Sequence, residues 1–284
     1  LARFIQRNEV TFIEWVGNLA VLASHLPKHG RIVMRLHSVE LAVSASEVRW
    51  ANVDTLIMLN EALLGHFRKI VHVLPAEIVL VSNGVDLEEF QYKSSPFSYR
   101  LGMVANLRPI KRIYEVILSL YALRQSGHPF SLHIAGKPVA GEDMRYAWSL
   151  ESLVDRLGLS NYIFFEGHVS EVADWLHGID IFISNSYWEG QQVALLEAMA
   201  SGCYCLSHCW GGVEEVLPPE NIFTTDSDLR SKLLAYATLP EPEKQQAQAR
   251  MRAIAEEKFD ERRMVAQIIE VIEHTARQNK GVVS

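Results

Sequence analysis

Two glutamates, Glu189 and Glu197, stand with seven residues between them in the segment SNSYWEGQQVALLEAMASG, residues 184–202. If Gly190 opens a helix here, Glu189 lies in the loop ahead of it and Glu197 lies about two turns inside. At about 1.5 Å per residue that is roughly 12 Å further on, a span that suits a ligand with polar groups at both ends of a diphosphate. A helix start between the two carboxylates offers unpaired backbone N–H groups and the positive end of the helix dipole, and both favour a phosphate. Glu197 falls inside the apolar run VALLEAMA, whose Val193, Leu195, Leu196 and Met199 read as core. The bland reading is an ordinary helix with Glu197 solvated. A carboxylate in apolar surroundings needs a partner, however, and a ribose diol is a candidate.

Other polar and glycine positions gather at the ends of β-rich runs. Asn106, Arg108 and Lys111 follow RLGMVAN, Gly136 and Lys137 follow FSLHIAG, Gly167 and His168 follow YIFFEG, and Glu189 follows IDIFIS. One at a time these are turn glycines and solvated cations. Together they mark loops converging on one crevice, because β-rich runs alternating with helical segments predict a parallel sheet that binds ligands beyond its carboxyl ends.

The first ninety residues carry a thinner version, with RIVMRLH, TLIML and EIVLVS as strands and His37 closing the first of them. A complete domain of this kind needs about 150 residues, so this one reads as reduced or truncated. The expected division is 1–92, a linker at LEEFQYKSSPFS, 93–260, and a final amphipathic helix over 261–284 capped by Asp260. Its stripe of Met264, Ile268, Val271 and Ile272 reads as core.

Composition excludes several classes. With 49% hydrophobic and 21% charged residues the 284-residue chain is an ordinary globular protein, and its net charge of −7 argues against a nucleic-acid footprint. No apolar run approaches the roughly 20 residues needed to span a bilayer, and LARFIQRNEV lacks a signal-peptide core, so a cytoplasmic location is expected. Peripheral association with a membrane surface stays open. Cys203, Cys205 and Cys209 with His208 suggest a metal site, but buried free thiols are the commoner reading, and no metal is expected. No G-x-G-x-x-G follows a strand, which disfavours a dinucleotide dehydrogenase. Gly136 and Gly141 have the separation of a phosphate loop, yet Glu142 stands where its lysine should be.

The pattern of Glu189, seven residues and Glu197, followed by Ala198-Met199-Ala200-Ser201-Gly202, resembles the signature of retaining glycosyltransferases of family four, the glycosyl transferases group 1. Asn83-Gly84-Val85-Asp86, Gly211-Gly212-Val213-Glu214-Glu215 and VANLRPIK extend the resemblance over roughly residues 31–275. It implies an α/β GT-B fold of two Rossmann-like domains facing a cleft. It also implies transfer from a nucleotide-diphosphate sugar, with retention and no metal or cofactor, to an acceptor that is a glycan, a lipid-linked sugar or a small molecule.

By position, the resemblance places Glu189 at the donor sugar, Glu197 on the ribose and Arg108 with Lys111 on the diphosphate. It puts backbone near Gly136 and Val169 at the base and His37 near the sugar. The chain departs from the family in having Asn106 at the usual arginine position, so Arg108 must substitute. Gly190-Gln191-Gln192, ahead of Val193, stands in place of Gly-Phe-Gly. A GT-B sugar-nucleotide epimerase and a non-catalytic sugar-nucleotide binder are the rival readings.

Overall fold

In a computed structural model describing residues 1–278, the alternation of β-rich and helical runs becomes two parallel sheets in two units. The first unit is Leu1–Gly84 together with the chain from Glu261 onward. It contains α1 (Ala2–Arg7), β1 (Val10–Glu14), α2 (Asn18–His25), β2 (Arg31–Leu36), α3 (Ser38–Val43), β3 (Thr55–Met58), α4 (Glu61–Ile70) and β4 (Glu77–Leu80). Its strands lie in the order β1-β2-β3-β4, all parallel. The central pair buries Ile32, Val33, Met34, Leu36, Leu56, Ile57 and Met58, as strands covered on both faces must. β1 is absent from the strands expected above. It is an edge strand, mostly half-buried, and its mixture of Val10, Thr11, Phe12, Ile13 and Glu14 shows no continuous apolar run.

The second unit, Val85–Asp260, holds β5 (Arg100–Val104), α5 (Ile113–Gln125), β6 (Ser131–Ala135), α6 (Glu142–Arg156), β7 (Ile163–Gly167), α7 (Val172–Leu176), β8 (Ile181–Ser184), α8 (Val193–Ser201), β9 (Tyr204–His208), β10 (Ile222–Phe223), α9 (Asp226–Thr238) and α10 (Glu241–Lys258). Strand order is β10-β9-β8-β5-β6-β7, all parallel. The chain winds outward from β5 to β7 and then returns to the other side of β5 at β8. That reversal sets the topological switch point at the carboxyl ends of β5 and β8, where sheets of this kind take ligands. One apolar cluster packs Leu101, Met103, Ile117, Leu132 and Ile134, and a second packs Phe182, Leu195, Leu196, Met199, Trp210 and Met251. Each fully buried aliphatic contributes about 1.5–3 kcal/mol.

α11 (Glu261–Arg277) does not stand by itself as expected for 261–284. Its Met264, Ile268 and Val271 pack against Val33, Ile57 and Val81 of the first sheet, and Thr275 hydrogen-bonds Thr55 at 2.9 Å. Residues 279–284 of that expected segment lie outside the described residues. The division falls at Gly84 and Val85 rather than near residue 92. Val85 and Phe90 bury themselves in the second unit's core, and the Val85 N–H donates to the Phe259 carbonyl at 2.8 Å.

Candidate functional site

The carboxyl ends of β5, β6 and β7 are laced together by backbone. Ala105 N–H donates to Ala135 O at 2.9 Å, Leu107 N–H to Lys137 O at 3.2 Å, and Gly136 N–H to Gly167 O at 2.6 Å. Only glycine fits at 136: its φ is +139°, and a Cβ would lie 1.9 Å from the Ala105 carbonyl oxygen. The Gly136 amide expected on the base side is thus already engaged by Gly167, and the residue instead lets two loops approach. Val169 sits half-buried just beyond β7.

From that scaffold the loop after β5 carries the basic residues. Asn106 is exposed, and Arg108, with 54% of its side chain exposed, reaches Asp143 Oδ2 at 3.3 Å in the first turn of α6. Lys111 closes the turn Pro109–Lys111 and points the other way, pairing its Nζ with Glu189 Oε1. Ser186 Oγ donates to the same carboxylate oxygen at 2.6 Å. A lysine from the β5 side and a glutamate from the β8 side therefore meet across the switch point, both largely buried. Arg108 does not join them.

Arg112 is the residue that the sequence reading missed. Its backbone is left-handed, at φ 50° and ψ 40°, and it is only 8% exposed. Asn185 Nδ2 donates to its carbonyl at 2.9 Å, its guanidinium reaches Asp226 Oδ1 at 3.1 Å, and it lies over the Tyr187 ring at 4.9 Å. Arg112 thereby ties the β5 loop, which carries Lys111, to the β8 loop, which carries Glu189. The expectation of no metal takes the chain to lack an Asp-x-Asp, yet Asp226-Ser227-Asp228 is one, a pattern able to hold a divalent ion. Here Asp226 takes Arg112, while Asp228 accepts from Thr224 N–H at 3.3 Å and faces Lys232 at 3.9 Å.

α8 begins at Val193 rather than Gly190, because Gln192 at its cap is still extended, at φ −74° and ψ 111°. Glu197 consequently lies one turn inside the helix, about 6 Å from its start, and not two turns. Gly190, Gln191 and Gln192 form a buried approach to the helix, whose first turn contains no acidic residue. The Glu197 carboxyl is half-buried and pushed up to about 7, first by burial and then by the charge of Glu89.

His37 lies in the first unit, directly after β2. Its N–H donates to Glu40 Oε2 at 3.1 Å, its Nε2 is 2.7 Å from Glu14 Oε1, and its ring stacks on Trp15 with centroids 3.9 Å apart. Burial would raise the Glu14 carboxyl, but His37 and Arg35 outweigh it and hold the group below its ordinary value. Cys203 and Cys205 are buried thiols against the carbonyls of Leu176 and Cys203, each at 3.4 Å, and burial pushes both thiols up. Among the described residues no group of three His, Cys, Asp or Glu side chains converges as a metal site, and no helix is long and apolar enough to cross a membrane.

Residues 98–238 match the family model described as glycosyl transferases group 1. Over 201 residues the chain is 23% identical to the lipopolysaccharide core biosynthesis mannosyltransferase LpsB of Rhizobium meliloti, covering 66% of this chain and 56% of that protein. Over 154 residues it is 27% identical to the Escherichia coli UDP-Gal:alpha-D-GlcNAc-diphosphoundecaprenol alpha-1,3-galactosyltransferase, covering 49% of this chain and 38% of that one. The chain thus spans about half the length of these curated relatives or less. Among solved structures, Anabaena Alr3699/HepE in complex with UDP-glucose matches with a TM-score of 0.80 at 19% identity, over 93% of this chain and 78% of the other. The α/β architecture of parallel sheets is that of GT-B glycosyltransferase structures.

Proposed function

We propose, from the match of residues 98–238 to the family model described as glycosyl transferases group 1, that this chain binds a nucleotide-diphosphate sugar in its second unit and takes part in moving the sugar to an acceptor hydroxyl. The observation that carries this reading is the Lys111–Glu189 pair, set across the switch point of the sheet on the approach to α8. In transfer the bond between the anomeric carbon and the diphosphate oxygen breaks, and its electron pair leaves with the diphosphate. The acceptor oxygen forms the new bond and gives up its proton to the departing diphosphate oxygen. Negative charge grows on the departing oxygen, so a fixed cation and the N–H groups of a helix start act most strongly in the transition state.

Lys111 supplies that cation by exchanging Glu189 for the diphosphate. Glu189, released, accepts from a sugar hydroxyl and favours the positive charge that develops at the reacting carbon. Glu197 ionises to accept from the ribose hydroxyls, and the exposed Arg108 leaves Asp143 to add a second cation. No residue in this scheme needs a metal, and transfer proceeds with retention. The acceptor is a carbohydrate or a lipid-linked sugar, in keeping with the names of the mannosyl- and galactosyltransferases cited above.

A panel of nucleotide sugars, assayed for released nucleoside diphosphate with and without a saccharide acceptor, tests the reading. Acceptor-dependent release supports it. Interconversion of the sugar nucleotide would instead identify an epimerase, and binding with no turnover a non-catalytic binder. Failure of calorimetry to detect any nucleoside diphosphate would remove the site altogether.

A further inference from the structure

Trp15 follows β1 in a left-handed backbone, with φ at +69°. For a bulky residue that is a genuine outlier, and it persists only where the surroundings enforce it. Those surroundings are a relay of side chains. The indole stacks on His37 at 3.9 Å with an interplanar angle of 21°, and His37 Nε2 meets Glu14 at 2.7 Å. Glu14 takes Arg35 at 3.3 Å, and Arg35, only 5% exposed, donates to Asn83 Oδ1 at 2.9 Å and to the Ser82 carbonyl at 3.2 Å. His37, itself held by Glu14, thus covers one face of the indole, yet Trp15 is 56% exposed. A large aromatic that is both strained and rigid but left facing solvent is placed to contact something other than the core.

What it contacts follows from the chemistry around it. An indole face takes the apolar C–H face of a pyranose ring, and carboxylates beside it accept from the hydroxyls on the ring's rim. Glu14, which directly precedes Trp15 in the chain, and Glu40 both contact His37, while Arg35, the cation paired with Glu14, is itself buried. Carboxylates at the rim repel a diphosphate and suit a neutral polyol. We infer that Trp15, held by His37, is the stacking platform for a pyranose ring of the acceptor. This rests on the glycosyl-transfer reading and narrows its acceptor to a saccharide presenting a pyranose, rather than a small aglycone.

The test uses the whole chain with methyl glycosides of common hexoses as probes. Six tryptophans contribute to emission, so wild type is compared with Trp15→Phe, which keeps an aromatic face and removes the Trp15 signal. At least one glycoside should shift wild-type emission at millimolar concentration, and the shift should vanish in Trp15→Phe. Calorimetry should show Trp15→Phe still binding that glycoside, and Trp15→Ala binding it roughly five- to tenfold more weakly, the size of one aromatic contact. In turnover, Trp15→Ala should raise the acceptor KM by a similar factor and leave the donor KM within about twofold.

No glycoside response in wild type, or an equal response in Trp15→Phe, overturns the platform. So does a change confined to the donor KM, which would put a nucleobase or donor sugar on the indole. Should wild type bind glycosides through Trp15 yet release no nucleoside diphosphate from any donor, the platform stands and the transfer reading fails.

Discussion

Glu197→Gln gives the most quantitative test of the site. Burial, reinforced by Glu89, moves the carboxyl from an ordinary 4.5 to about 7. At about 1.36 kcal/mol per pH unit, the gap corresponds to an upper value of roughly 3 kcal/mol, reduced toward about 2 by the group's partial exposure. The sign follows from proton counting. Below pH 4.5 both folded and unfolded chains hold the proton, and Glu197 has no effect on stability. Between pH 4.5 and 7 the unfolded chain loses its proton first, so stability falls, and above pH 7 the full cost remains.

Glutamine has no proton to lose. Its advantage over wild type should therefore be near zero at pH 4.5, rise through pH 6 and level off above pH 7. At about 2–4 °C per kcal/mol the plateau difference in Tm is roughly 4–12 °C, readable by scanning calorimetry across that range. A constant difference between the two proteins from pH 4.5 to 8 would refute the reasoning. The same group couples to the ligand. If the ribose is held by the ionised carboxylate, binding of a nucleoside diphosphate at pH 6.5 should release a fraction of a proton, seen as a dependence of the binding heat on buffer ionisation enthalpy. Glu197→Gln should abolish that release.

Lys111→Ala should lower kcat by on the order of 10² or more, since it removes a fixed cation from the leaving group; near-normal turnover at saturation would misplace the phosphate site. Glu189→Gln should reduce kcat more than tenfold while binding bare nucleoside diphosphate as well as wild type or more tightly, because Lys111 no longer starts in an ion pair; weaker binding measured by calorimetry would contradict the partner exchange. Transfer should survive excess EDTA, and loss of activity restored by Mg²⁺ or Mn²⁺ would direct attention to Asp226-Ser227-Asp228.

Much of the second sheet is legible in the sequence because parallel strands covered on both faces must be continuous apolar runs. IDIFIS and FSLHIAG leave little choice, and polar residues following such runs must line the carboxyl-end crevice. β1 escapes the same rule as a half-buried edge strand. The three-residue error at the start of α8 comes from taking Gly190 as a helix opener, whereas an extended Gln192 delays the first turn to Val193. Arg112 is illegible for a different reason. Its partners lie 73 and 114 residues further along the chain, and its role depends on a left-handed backbone that no local pattern announces in a non-glycine residue. The division at Gly84 was similarly hidden, since only the tertiary contact of Val85 with Phe259 distinguishes it from the more polar linker beyond.

The Lys111–Glu189 pair also explains how a largely buried cation can stand ready for a diphosphate. A partly buried ammonium without a counter-charge is expensive, and removing one partner of a buried pair typically costs about 3–5 kcal/mol. Glu189, fixed by Ser186, offsets that penalty with a single negative charge. A diphosphate brings more negative charge than one carboxylate, so it can displace Glu189 from Lys111 at a net electrostatic gain, provided the released carboxylate finds donors of its own. Sugar hydroxyls are such donors. A bare nucleoside diphosphate has none to offer, and so leaves Glu189 less well satisfied than a nucleotide sugar does. On the proposed function, discrimination between donor and product would rest on this one ion pair. Arg112, with its carbonyl on Asn185 and its guanidinium on Asp226, ties the two loops together, so the proposed exchange would call for side-chain rotation rather than opening of the sheet edge.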